Sequence, residues 1–191
     1  MENVENVVVH VSAQELEAGL DDIRQSPQEE GRLELIVVRP RAGVRQELAQ
    51  GELDPARGLV GDSWSYRKHP RTGAPPNPDT QINVMNARVA ALVARNRDRW
   101  ALAGDQLFVD LDLSTANLPP GTRLAIGVAI IEVTAEPHTG CAKFVQRFGV
   151  DAMKFVNSPV GRRLNLRGIN ARVVEPGPIR GGDRVTKLVG G

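Results

Sequence analysis

A single cysteine, Cys141, stands in the run Pro137-His138-Thr139-Gly140-Cys141-Ala142-Lys143-Phe144. Two readings are open for such a residue: a small buried hydrophobe, or an accessible, low-pKa thiolate that serves as nucleophile, sulfur carrier or metal ligand. Three neighbours argue for the second. Gly140 lets backbone approach a ligand closely. The spacing after Cys141 predicts a helix starting there, over Ala142 to Phe148 and stopped by Gly149, whose free N–H groups favour a thiolate. His138 and Lys143 place potential cations beside the sulfur, acting in the same direction. His138 is also suited to hydrogen-bonding the sulfur or protonating a leaving hydroxyl. The plainer readings are a surface loop histidine and a solvated lysine.

The other polar residues point to less. Asp62 and Asp183 follow glycines at strand starts and read as turn-fixing carboxylates. The three histidines, His10, His69 and His138, show no metal-ligand spacing, so a zinc site is not expected. With one cysteine there is no intrachain disulfide.

Positioning these residues falls to a β-rich chain. Short apolar runs separated by Gly and Pro begin at Leu33-Glu34-Leu35-Ile36-Val37-Val38. They recur at Gln81 to Met85, Gln106 to Leu113, Arg123 to Thr134, Ile169 to Val174 and Arg184 to Val189. Asn86 is a candidate cap for a helix over Ala87 to Asn96. Residues 63 to 79 form a Pro-rich loop that includes His69 and could cover a pocket. The expected fold is mostly β with a few short helices, as a barrel or sandwich. Residues 1–32 read as an N-terminal appendage: a strand at Val7 to Val11, then a helix opened by the capping box Ser12-Ala13-Gln14-Glu15, with Leu16, Leu20 and Ile23 on one face.

Across 191 residues, 41% hydrophobic content suffices for a core, and a net charge of +1 with no basic face argues against nucleic acid. No stretch nears the roughly 18 apolar residues of a membrane span, and the polar, acidic start is unlike a signal peptide, so a cytoplasmic location is expected.

Several motifs are similar to those of the MOSC family, named for the C-terminal domain of molybdenum cofactor sulfurases. They are Gly58-Leu59-Val60-Gly61-Asp62, Ala125-Ile126-Gly127-Val128-Ala129, the Cys141 segment with Arg147-Phe148-Gly149, Arg167-Gly168-Ile169-Asn170-Ala171-Arg172-Val173, and Glu175-Pro176-Gly177-Pro178-Ile179-Arg180-Gly181-Gly182-Asp183-Arg184-Val185. The resemblance spans roughly residues 33 to 189. It implies a MOSC-type β-barrel over residues 33–191, with Cys141 either holding the molybdenum of a molybdenum-pterin cofactor or carrying sulfane sulfur. Cofactor-binding roles then fall to Lys143 beside the thiolate, to Arg147, Arg167 and Arg172, whose guanidinium groups suit a phosphate, and to Asn170, whose amide suits a pterin edge. Turn and surface roles are the alternatives. The resemblance further implies either reduction of N-hydroxylated or related small compounds, or delivery of persulfide sulfur to a metal–sulfur cofactor. A binding barrel with an inert cysteine is the third possibility. No pyridoxal phosphate domain is expected here. Expected partners are a small-molecule substrate or sulfur donor, a redox or desulfurase protein, and, as a further option, a second copy of the chain in a homodimer.

Overall fold

A computed structural model describes residues 9–68 and 71–188. The strands are β1 (Glu30–Val38), β2 (Gln46–Leu48), β3 (Gln50–Asp54), β4 (Gly58–Leu59), β5 (Ile82–Asn86), β6 (Leu107–Asp110), β7 (Arg123–Ile126), β8 (Ala129–Val133), β9 (Ile169–Glu175), β10 (Gly177–Arg180) and β11 (Arg184–Leu188). The helices are α1 (Ala13–Ala18), α2 (Leu20–Arg24), α3 (Ala87–Ala94), α4 (Ala142–Asn157) and α5 (Pro159–Arg163).

Among the described residues, seven strands close into a barrel in the order β1-β11-β7-β8-β9-β5-β6 and back to β1. The chain is therefore mostly β with a few short helices, as its sequence predicts. Closure leaves those strands without a free edge. The pairings are antiparallel except β5 with β6, which lie parallel and are joined through α3 and a 3-10 helix over Arg97–Ala103. Strands β10, β3 and β4 make a small separate sheet.

Strand β1 carries apolar residues toward two cores. A register shift between Leu33 and Leu35 sets the facing, so Leu33, Ile36 and Val38 point into the barrel. Leu35 and Val37 point outward to the helices, where they join Met85, Phe108, Val89, Val93, Phe144, Phe148, Ala152 and Val156. This second core fixes α4 against the barrel wall. Leu16 of α1 and Ile23 of α2 also belong to it.

Several local expectations change. Val7 and Val8 lie outside the described residues, and Val9 to Val11 form no strand. Ser12 and Glu15 make the predicted capping box, but the helix breaks at Gly19 into α1 and α2. A Cβ on Gly19 would meet the Leu92 side chain, so the backbones approach there too closely for a larger residue. Asn86 caps α3 through the amides of Arg88 and Val89. The long apolar stretch from Arg123 folds back as a β7–β8 hairpin at Gly127. Gly149, with φ 88°, does interrupt the helix after Cys141, yet helical structure resumes to Asn157 and then in α5. The buried repeat Phe144, Phe148, Ala152, Val156 was the available signal: spacing of four persists across the glycine. Strands β2 and β3 were not foreseen, being short and largely polar.

Candidate active site

Cys141 is the N-cap residue of α4 and is exposed. Partial burial pushes its thiol up, but the Phe144 and Lys143 amides and the Arg167 and Lys143 charges outweigh this and hold it below the ordinary thiol value. A helix start facing a sulfur is the local reason. Gly140, just before it, donates its N–H to Asn157 Oδ1 at 3.1 Å, tying the loop to the far end of α4.

The sulfur borders a cavity of about 580 Å3 whose lining includes Arg39, Arg41, Arg45, Arg67, Lys143, Arg147 and Arg167, with His138, Asn83 and Tyr66. Seven cationic side chains line it, and among the described residues no carboxylate does. Lys143, Arg147 and Arg167 thus reach one space, as does His138. Arg172 does not: it sits on the barrel exterior, paired with Glu132 at 2.6 Å and Asp79 at 3.5 Å. Asn170 lies in an adjoining groove with Trp64, Pro75, Pro76, Pro137 and His138. Its amide is already engaged, donating to the Glu136 and Pro137 carbonyls and accepting from Asn83 Nδ2 at 2.6 Å. Asn170 thereby shapes the loop that leads to His138. His69, expected in the covering loop, lies outside the described residues.

The cations are held by buried carboxylates that stand behind the lining. Asp62, fully buried, accepts from Arg39 Nε at 2.8 Å, Arg39 Nη2 at 3.0 Å, the Arg39 amide at 2.9 Å and the Trp64 amide at 2.9 Å. Its turn-fixing role is thus joined by the anchoring of an arginine. Asp105, also fully buried, accepts from Arg167 Nη1 at 2.7 Å, while Arg167 Nη2 donates to Ala103 O and the guanidinium lies 5.1 Å from the Phe144 ring centroid.

Around Gly104 the charges crowd. Arg39 Nη1 donates to Gly104 O at 2.6 Å and Arg147 Nη1 to Leu102 O at 2.6 Å. Burial, and then the charges of Arg147, Arg39 and Arg67, push the Arg45 guanidinium below its ordinary value. Burial and Arg39 do the same to Arg67. Such mutual depression marks a site that gains from an anion. Arg45 Nε and Arg167 Nε are buried donors with no acceptor, which strengthens that inference. Sequence reasoning missed Arg39, Arg45, Arg67 and Asp105.

The donor set fits a molybdenum-pterin group. Its phosphate matches the surplus cations and unpaired N–H donors, and its metal matches a soft sulfur ligand whose pKa is held below the ordinary thiol value. Among the described residues no cluster of three or more His, Cys, Asp or Glu could hold a bare metal.

His138 is mostly enclosed, its side chain 14% exposed, and its ring pKa is lowered from 6.5 to about 4, by burial first, then by the Arg167 and Arg39 charges, with Asp105 opposing. At neutral pH the ring is uncharged, so the cation expected of His138 is missing there: burial beside Arg167 outweighs Asp105. A folded pKa below the unfolded one means the unfolded chain binds the extra proton between pH 6.5 and about 4. Stability is full above that window and falls by about 3 kcal/mol as pH drops through it. In urea unfolding at pH 7 and pH 4, His138→Gln should remove about that much of the pH dependence. An unchanged dependence would show that His138 stays accessible to solvent protons.

The structure is a closed barrel with an exposed cysteine at a helix start, bordering an arginine-lined cavity. The profile of the MOSC domain matches residues 76–186, and the chain belongs to the MOSC domain family. Solved structures share the fold. The YUAD protein from Bacillus subtilis is 16% identical with a TM-score of 0.62, the match covering 82% of this chain and 94% of that one. YiiM from Escherichia coli is 19% identical with a TM-score of 0.53, covering 84% and 71%. YiiM from Geobacillus stearothermophilus is 13% identical with a TM-score of 0.57, covering 83% and 75%. No curated protein matches the sequence. Among the described residues no helix is long and apolar enough to cross a membrane.

Proposed function

We propose that this chain binds a molybdenum-pterin cofactor through Cys141 and reduces N-hydroxylated or related small compounds. The observation that carries this is the cavity itself: a thiol held below its ordinary pKa at the edge of seven cations. Arg39, Arg45 and Arg147 would grip the anionic end around Gly104. Cys141 would ligate the metal, and Lys143 and Arg167 would hold its thiolate form. The groove beside Trp64 and the prolines would seat the substrate, with His138 at the junction of the two spaces. When bound, the cofactor supplies the two-electron exchange. Reducing R–NHOH to R–NH2 consumes two electrons and two protons and releases water. The electrons would come from a redox partner protein.

Protein purified from a host that makes the cofactor should carry molybdenum in near one-to-one ratio, and Cys141→Ser should lose almost all of it. Metal-free wild-type protein from such a host would sink the reading. The exposure of Cys141 favours one further reading, a persulfide carrier. In that case mass spectrometry after incubation with cysteine and a desulfurase finds one added sulfur on Cys141, and no molybdenum is retained.

A further inference from the structure

The site holds a second feature that metal or sulfur binding does not use. Two buried polar atoms face each other without closing a hydrogen bond, His138 Nδ1 and Asp105 Oδ1. Asp105 spends Oδ2 on Arg167 Nη1 at 2.7 Å and leaves Oδ1 3.5 Å from His138 Nδ1. At that separation and angle the pair is an electrostatic contact, not a hydrogen bond. Oδ1 is nonetheless an acceptor in contact with Nδ1, which makes no hydrogen bond to the described residues.

We propose that Asp105 is a positioning residue that keeps the proton of His138 on Nδ1, so that Nε2 presents its lone pair to the cleft and accepts a hydrogen bond from the bound compound. A carboxylate with two acceptor oxygens serves two donors, Arg167 on one and Nδ1–H on the other. Nδ1 is walled in, since a Cβ on Gly168 would lie 3.2 Å from it. The ring therefore meets the cavity and the adjoining groove, both of which His138 lines, through its other edge. A neutral ring with Nδ1–H has no proton to give at Nε2. It selects ligands that donate there, such as the O–H of a hydroxylamine, over O-alkylated analogues that lack that hydroxyl donor. This rests on the proposed reading for the choice of ligand, but the tautomer is a property of the protein alone.

The competing arrangement has Arg167 Nε–H donating to a bare Nδ1, which moves the proton to Nε2. Nitrogen NMR of the isotope-labelled, metal-free full chain at pH 7 separates the two, with the chain's two other histidines as internal references. The expected result is a pyrrole-like Nδ1 and a pyridine-like Nε2 for His138, assigned by its disappearance in His138→Gln. Asp105→Asn offers one oxygen, which Arg167 takes, and turns its NH2 toward Nδ1, so the tautomer should invert. A pyridine-like Nδ1 in the wild type, or no change in a folded Asp105→Asn protein, overturns the proposal. If Asp105→Asn does not fold, the wild-type spectrum still decides. Molybdenum bound with the proton on Nε2 defeats this inference alone. The expected tautomer in a protein that never takes up molybdenum defeats the functional reading alone.

Discussion

Asp62→Ala is expected to cost about 3–5 kcal/mol in urea unfolding at pH 7, because it strips the anion from a buried arginine. Asp62 is fully buried and receives four N–H groups, three of them from Arg39. Its removal leaves Arg39 with only neutral acceptors, Asn83 Oδ1 at 2.8 Å and Gly104 O at 2.6 Å. The Trp64 amide, which opens the 3-10 helix Ser63–Tyr66, is left unpaired as well. Nothing among the other cavity cations can compensate, since Arg45 and Arg67 already repel Arg39. The double variant Asp62→Ala with Arg39→Met should recover part of the loss, because removing both charges also removes the stranded one. A loss below about 1 kcal/mol in the single variant would mean that Arg39 swings into the cavity and is solvated there.

Gly168→Ala is expected to cost about 2–6 kcal/mol, from backbone strain and overpacking together. Gly168 has φ 111°, a region L-residues avoid, and an added Cβ would press on the carbonyl of Val84 in β5, well inside contact distance. That carbonyl belongs to a barrel strand paired with β9, so it cannot yield without disturbing register. The same Cβ would come 3.2 Å from His138 Nδ1, so surviving folded protein should also show a displaced His138. Gly43 provides the control: it has φ 79° with nothing within 4 Å of a Cβ. Gly43→Ala carries the conformational cost without the collision, about 1–2 kcal/mol. Thermal unfolding of the two variants side by side separates the contributions, and equal losses would rule out the steric part.

The region around Cys141 was legible because its chemistry is local. A glycine followed by cysteine at a helix start, with Lys143 and Arg147 on the next turns, lies within one short segment, and the helix geometry places them together. The β-rich class was legible from short apolar runs with Gly and Pro between them. Local spacing also has limits, as Gly149 shows: it was read as the end of the helix, but it only interrupts it, and the apolar repeat beyond carries the chain back into helix.

What only the tertiary structure decided is which charges share the cavity. Arg39 ends β1, Arg45 and Arg67 stand on loops, and Asp105 precedes β6. Nothing in their own neighbours separates the three arginines from the rest of the 24 lysines and arginines, or Asp105 from the rest of the 23 carboxylates. Closure of β1 against β6 and β11 brings them to one mouth. Arg172 shows the converse, since its strand carries it past the cavity to an exterior pair with Glu132. The sequence by itself determined a barrel-forming chain with one cysteine poised at a helix start. The fold determined that this cysteine faces seven cations and that a buried carboxylate stands behind His138. Long-range closure, unlike a helix turn, leaves no periodic mark in the chain from which such neighbours could be read.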